Sequence, residues 1–225
     1  MRRPSSRRGR WPISSGIPDG EIGQNILAKF DAVGLHGLAW GEQGFRHITN
    51  NRNAIETPAD VEGLKIRTME NPVHLAAFNA MGAAPTPMAW PEVISSLQQG
   101  VIDGQENPLS VIVSVKLDEV QEYLTLSGHV YSPAMLLVSK PFWDGLNDEQ
   151  KAAFEKAAAA GVEAMRGYVD TVETSGVETL KERGMKVNAL SAEEKAKFQE
   201  AIASAYEGYY ETYGKDLVDS IVNFE

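Results

Sequence analysis

Apolar positions past residue 20 recur in two alternating rhythms, one helical and one strand-like, and the alternation predicts an α/β fold. Residues 21–33 put Ile22, Ile26, Leu27, Phe30 and Val33 on one helical face that ends at Gly34. Residues 35–40 form an apolar run of strand length, and 45–50 alternate as a strand does. Residues 57–61 read as a turn leading into one helical turn, and 64–68 as a second short strand. A helix is predicted over about 71–81, with Pro72 in its first turn and Gly82 closing it. Residues 85–88, Pro-Thr-Pro-Met, must be extended, because each proline drives its predecessor out of the α region. Residues 91–99 predict another helix, stopped by Gly100, and 101–103 a short strand or turn. The stretch 109–122 reads as mixed, and 125–139 as strand-rich but broken at Pro133.

The last third is mostly helix. Asn147 precedes Asp148 and Glu149, a cap followed by first-turn acids that favour the positive end of a helix dipole. That helix is predicted to run unbroken from about 148 to 182, which is long for a globular domain. Residues 186–189 read as a strand, and Ser191 with Glu194 as a capping box that opens a final helix. There is no internal repeat.

Composition narrows the classes of function. The chain has 225 residues, 43% of them hydrophobic and 23% charged, ordinary for a globular protein with one large domain or two small lobes. The formal net charge of −10 hides an asymmetry. Five of the 21 basic residues lie in the first ten positions, which leaves 16 against 31 acidic ones over residues 11–225. So acidic a body is a poor partner for nucleic acid. The lack of cysteine excludes disulfides, thiolate zinc sites and cysteine nucleophiles. No apolar run reaches membrane-spanning length. The first twenty residues are basic and rich in Ser, Pro and Gly, without the apolar centre of an export signal, and are expected to be a disordered tail.

Candidate chemistry centres on arginine. Beyond the basic tail there are five, and Arg46, Arg52 and Arg67 fall within 22 residues. Arg46 and Arg67 belong to predicted strands, where a solubilising charge is out of place. A guanidinium offers a planar fork that matches a carboxylate, so either could receive an anion; a structural ion pair is the alternative. The four histidines show no metal spacing, and there is no Gly-x-Ser-x-Gly elbow, phosphate loop or Gly-x-Gly-x-x-Gly. Glu106 beside Asp103 suggests a turn rather than a catalytic carboxylate pair, and Trp90 lines a pocket or fills the core.

Three motifs then carry a resemblance. Residues 63–67 (Gly-Leu-Lys-Ile-Arg), 81–90 (Met-Gly-Ala-Ala-Pro-Thr-Pro-Met-Ala-Trp) and 97–108 (ending Gln-Glu-Asn-Pro) resemble, in this order and spacing, the solute-binding subunits of TRAP transporters, the DctP-like family. The likeness extends through Gly44–Asn50 upstream and the Ser-Lys-Pro-Phe-Trp segment at 139–143 downstream, covering roughly residues 17–225. It implies a periplasmic binding-protein fold, type II-like, with two α/β lobes that close over an organic acid and one long connecting helix. The family's opening strand–helix units and export signal have no counterpart here, so the first lobe is expected to be incomplete and the chain truncated. The expected organisation is a tail at 1–20, a first-lobe remnant at 21–46, a second lobe at 47–132, a first-lobe segment with the long helix at 133–172, and second-lobe helices at 173–225.

The resemblance also assigns roles. The carboxylate-clamping arginine falls on Arg67, a second pocket arginine on Arg46, the accompanying amide on Asn107, the packing aromatic on Trp90, and a pocket-edge position on Asn71. It implies a periplasmic monomer that passes its ligand to membrane permease subunits, with no cofactor, no metal, no nucleic acid and no bond-breaking step. The alternative is a small α/β enzyme acting on an organic acid, with Arg67 as anchor and Glu106 or His47 as base.

Overall fold

A computed structural model describes residues 12–224, and the side chains of 16–224. The chain divides into two compact units. One comprises 12–43, 133–167 and 216–224 of the described residues; the other comprises Gly44–Ser132 and Tyr168–Lys215.

The first unit opens with α1 (Pro12–Asp19) and α2 (Glu21–Ala28), the latter continued by a 3-10 segment, Lys29–Val33. Here the structure departs from the expected tail. Residues 1–11 lie outside the described residues, but 12–19 are helical because Ile17 is buried and Asp19 accepts two hydrogen bonds from Arg166, at 2.9 and 2.7 Å. The indole of Trp40 donates to the Gly23 carbonyl at 2.9 Å, and His36 stacks on Trp143 with ring centres 4.4 Å apart. The unit is completed by α6 (Lys140–Asp144), the start of α7 (Asp148–Glu182) and the end of α10 (Lys215–Val222). The segment after 215 groups here rather than with the second lobe, since the Phe224 ring lies against Gly16.

Residues 35–50 form one strand, β1 (Leu35–Asn50), where two short ones were predicted, and β5 (Tyr123–Ser139) continues through Pro133. The predicted limits of α7 are met. Its first turn is closed reciprocally, Asn147 Oδ1 accepting from the Gln150 amide and Gln150 Oε1 from the Asn147 amide.

The second unit holds the sheet that carries the candidate site. Its further elements are β2 (Ile66–Thr68), α3 (Pro72–Ala80), β3 (Thr86–Pro87), α4 (Trp90–Gln98), β4 (Gly104–Pro108), α5 (Leu109–Ser114), β6 (Lys186–Ala189), α8 (Ala192–Ala201) and α9 (Ala205–Tyr213). Strand order is β3-β2-β4-β1-β5-β6. β4 is antiparallel to β1 and parallel to β2. It is a correction to the sequence reading, which took residues 103–107 for a turn. The strand is polar throughout, yet fully enclosed, and only glycine fits at its start: a Cβ at Gly104 would stand 2.2 Å from the Thr49 carbonyl oxygen.

Two apolar clusters hold this unit. One joins α4, α5, β5 and the end of α7 through Val93, Leu97, Ile112, Leu124 and Leu180. The other joins β1, the loop after it, β2 and α3 through Ile48, Ile55, Ile66 and Phe78, with α8 packed on it by Phe198. Each such side chain, fully buried, contributes about 1.5–3 kcal/mol. The capping box at Ser191 and Glu194 is formed as predicted, but the helix it opens breaks into α8, α9 and α10.

Candidate functional site

Pairing of β2, β4 and β1 brings distant polar residues into one strip. Arg67 stands opposite Gln105, Asn107 opposite His47, and Pro108 opposite Arg46. Because side chains alternate along a strand, Arg67, Gln105 and Asn107 share one face, and Arg46 and Glu106 share the other. The two sets meet only where Arg46 Nη2 donates to Asn107 Oδ1, at 3.2 Å.

Arg46 is buried and fully engaged. Its Nε donates to Glu106 Oε2 at 2.5 Å, and its Nη2 to Glu106 Oε1 at 2.8 Å and to the Glu106 carbonyl at 2.6 Å. Nη1 reaches Ser132 Oγ at 3.3 Å. Glu106 is fully buried, with His129 Nε2 3.2 Å from Oε2 and His74 Nδ1 3.7 Å from Oε1, the latter too long for a hydrogen bond. Burial works to raise the Glu106 pKa, but His129, His74 and Arg46 outweigh it and hold the carboxyl well below the usual carboxylate range. Arg46 is therefore the ion-paired arginine that the sequence offered as the alternative.

Arg67 is buried as deeply but bonded differently. Its Nε and Nη2 both donate to the Met88 carbonyl, at 2.9 and 2.7 Å, and the guanidinium carbon lies 5.5 Å from the centre of the Trp90 ring. Among the described residues no carboxylate pairs with it. Burial lowers its pKa, with Glu106 acting against this, yet a guanidinium starting this high stays charged. Trp90 is not core; it is 36% exposed at the start of α4. Asn71 caps α3, its Oδ1 accepting from the Val73 amide at 2.9 Å. Asn107 is oriented twice, by Arg46 and through its own Nδ2, which donates to Gln105 Oε1 at 2.5 Å.

The arrangement thus gathers Arg67, Trp90 and Met88 at the end of β2, with Asn71 four residues on, and ties Arg46 to Asn107 across β4. Sequence reasoning missed Gln105, His74, His129 and Ser132, which support these residues from strands and helices remote in the chain. Asp103 does not form a pair with Glu106. It accepts from Arg52 and from the Lys65 amide.

The two bases of the enzyme alternative are poorly placed. Burial, aided by the electrostatic influence of His129 and Lys195, pushes the His47 pKa down to about 3, and its Nδ1 already accepts from the Gly128 amide at 3.1 Å. Glu106 is enclosed and saturated. Among the described residues no three His, Asp or Glu side chains form a group that could hold a metal ion, and no helix is long and apolar enough to cross a membrane.

The family described as bacterial extracellular solute-binding protein, family 7 (DctP), matches residues 14–212. The chain belongs to this family. It is 47% identical over 205 residues to a solute-binding protein of Verminephrobacter eiseniae, covering 91% of this chain and 61% of that protein. A crystal structure of a TRAP periplasmic solute-binding protein from Bordetella bronchispeptica, with density described as pantoate, superimposes with TM-score 0.90 at 52% identity. The match covers 96% of this chain and 70% of that one. A TRAP periplasmic solute-binding protein from Polaromonas bound to D-erythronate gives TM-score 0.90 at 44% identity, covering 95% and 70%. The DctP-family chain therefore has the two-lobed α/β fold of these proteins and spans about six tenths of the length of the curated relatives it matches.

Proposed function

We propose that this protein is the solute-receiving part of a TRAP-type transporter, that it captures an organic acid by its carboxylate outside the cytoplasmic membrane, and that it delivers the acid to membrane permease subunits. One observation carries the reading: Arg67 is a buried cation whose fork is braced against a backbone carbonyl while no carboxylate among the described residues neutralises it. Leaving such a charge buried without a partner is costly, and an incoming carboxylate supplies the partner.

The other residues take roles around Arg67. Asn107, held in place by Arg46, presents its amide to the same ligand, and Arg46 acts on it through that contact while paired with Glu106. Trp90 packs on the ligand's carbon skeleton beside the guanidinium, and Asn71 borders the pocket at the start of α3. The ligands named for the two similar crystal structures, pantoate and D-erythronate, are both hydroxylated monocarboxylates. A hydroxy acid of similar size is the substrate class this supports, with hydroxyl groups read by amide and backbone partners.

Calorimetric titration of the chain with D-erythronate and with pantoate tests the reading, with erythritol as the uncharged control. Saturable binding of at least one acid and none of erythritol is expected. Binding of erythritol equal to that of the acids, or turnover of either acid, would sink it.

A further inference from the structure

The second unit contains a cavity of about 280 Å³ on the Glu106 face of the sheet, opposite the face that carries Arg67. Its walls come from α3, β5, α8 and α9, and are mostly apolar: Phe78, Met81, Ala77 and Phe198 among them. Neither Arg67, Asn107 nor Trp90 lines it. An apolar space of about 150 Å³ already accepts benzene, so this one has room for a ring and a short substituent.

The ionisable side chains of the lining are one-sided in charge. Lys195, His74 and His129 line the cavity, and among the described residues no aspartate or glutamate does, although the chain carries 31 acidic residues. The Lys195 ammonium lies over Gly128, 3.5 Å from where a Cβ would stand, and among the described residues it has no hydrogen-bond or ion-pair partner. His74 Nδ1 is enclosed 3.7 Å from Glu106 Oε1, so it faces that carboxylate rather than the cavity. Glu106, the nearest carboxylate to this histidine, is already taken up by Arg46 and His129. The cavity therefore combines an apolar body with one unpaired cation, Lys195, while His74 Nδ1 is enclosed beside Glu106.

We infer that this cavity is a second ligand site, separate from Arg67, for a small aromatic monocarboxylate whose ring fills the space between α3 and α8 and whose carboxylate meets Lys195. The inference does not rest on the carboxylate-receptor role of Arg67. Because His74 and His129 also contact Glu106, an occupant would adjoin the cluster that orients Asn107.

The test uses the chain labelled with ¹³C at the methionine methyls and titrated with benzoate. Met81 reports on the cavity, and Met88, whose carbonyl holds Arg67, reports on the other face. Their signals are assigned with Met81→Leu and Met88→Leu. Benzoate is expected to shift Met81 saturably and leave Met88 in place. Lys195→Met should weaken benzoate at least tenfold while leaving benzyl alcohol, the uncharged analogue, unaffected. Ala77→Phe should abolish both; Ala77→Leu serves if the larger side chain prevents folding. A silent Met81 at millimolar benzoate overturns the proposal. So does benzoate binding that moves Met88 and is lost in Arg67→Lys, or that survives both Lys195→Met and the filled cavity.

Discussion

Arg46 and Arg67 sit two strands apart in one sheet, both buried, and differ in how many of their donors the protein uses. Arg46 makes five hydrogen bonds, three of them to Glu106, and its charge is neutralised within the fold. Arg67 spends two donors on one neutral carbonyl and meets no carboxylate among the described residues. Burial and charge therefore do not distinguish a structural cation from one proposed to receive a ligand. The inventory of unmet donors does, because a guanidinium offers five N–H groups and a buried one is stable only when something accepts them.

The comparison is broken most forcefully at Glu106. Replacing Glu106→Gln leaves Arg46 buried without a counter-charge, and urea unfolding should show a loss of about 3–5 kcal/mol. Arg67→Lys, which breaks no ion pair but gives up a hydrogen bond to the Met88 carbonyl, should cost only about 1 kcal/mol by the same measurement. Similar losses in the two variants would erase the distinction.

Acid should act on the saturated cluster's neighbour next. The folded-state pKa of His47 lies near 3, below its unfolded value of about 6.5, so the unfolded chain binds the extra proton first. The stability His47 contributes is complete above pH about 6.5 and is lost as pH falls from there toward 3. Between pH about 6.5 and 4.5, before most carboxylates titrate, the slope should approach about 1.4 kcal/mol per pH unit. His47→Gln should flatten it, and an unchanged slope would place the effect in other groups.

A smaller effect separates cap from pocket at Asn71. Asn71→Ala removes the acceptor for the Val73 amide and should cost about 1 kcal/mol of stability. Asn71→Asp keeps the cap, so stability should hold, while a negative charge four residues from Arg67 should lower affinity for D-erythronate about threefold, comparable to an exposed pair of charges. Unchanged affinity in Asn71→Asp would remove this position from the site.

Much of this was legible in the chain itself. The helices over 71–81, 91–99 and 148–182 follow from Pro, Gly and acidic caps that act locally, and Arg67 stood out because a charge at a strand end asks for an explanation. What escaped was long-range. β4 reads as a turn because Gly-Gln-Glu-Asn-Pro has neither alternation nor β-branched residues, and it is a strand only because β1 and β2 satisfy its backbone on both sides. The partner of Arg46 lies 60 residues away, so no spacing rule could name it. The sequence leaves Trp90 between core and pocket lining, and the contact that decides for the surface is its ring against the Arg67 guanidinium, 23 residues away. The two strands expected at 35–40 and 45–50 merge into β1 because the intervening glycines interrupt the apolar pattern without interrupting the extended backbone.

The central claim is that Arg67 is the cation kept for a ligand's carboxylate, and one paired measurement tests it most directly. Thermal unfolding and calorimetric titration with D-erythronate are recorded on the same preparations of the wild-type chain and Arg67→Lys. Lysine keeps the charge but loses the two-pronged fork, so the account predicts a melting temperature within a few degrees of wild type and affinity at least tenfold weaker. Equal affinity in a well-folded Arg67→Lys protein would contradict it.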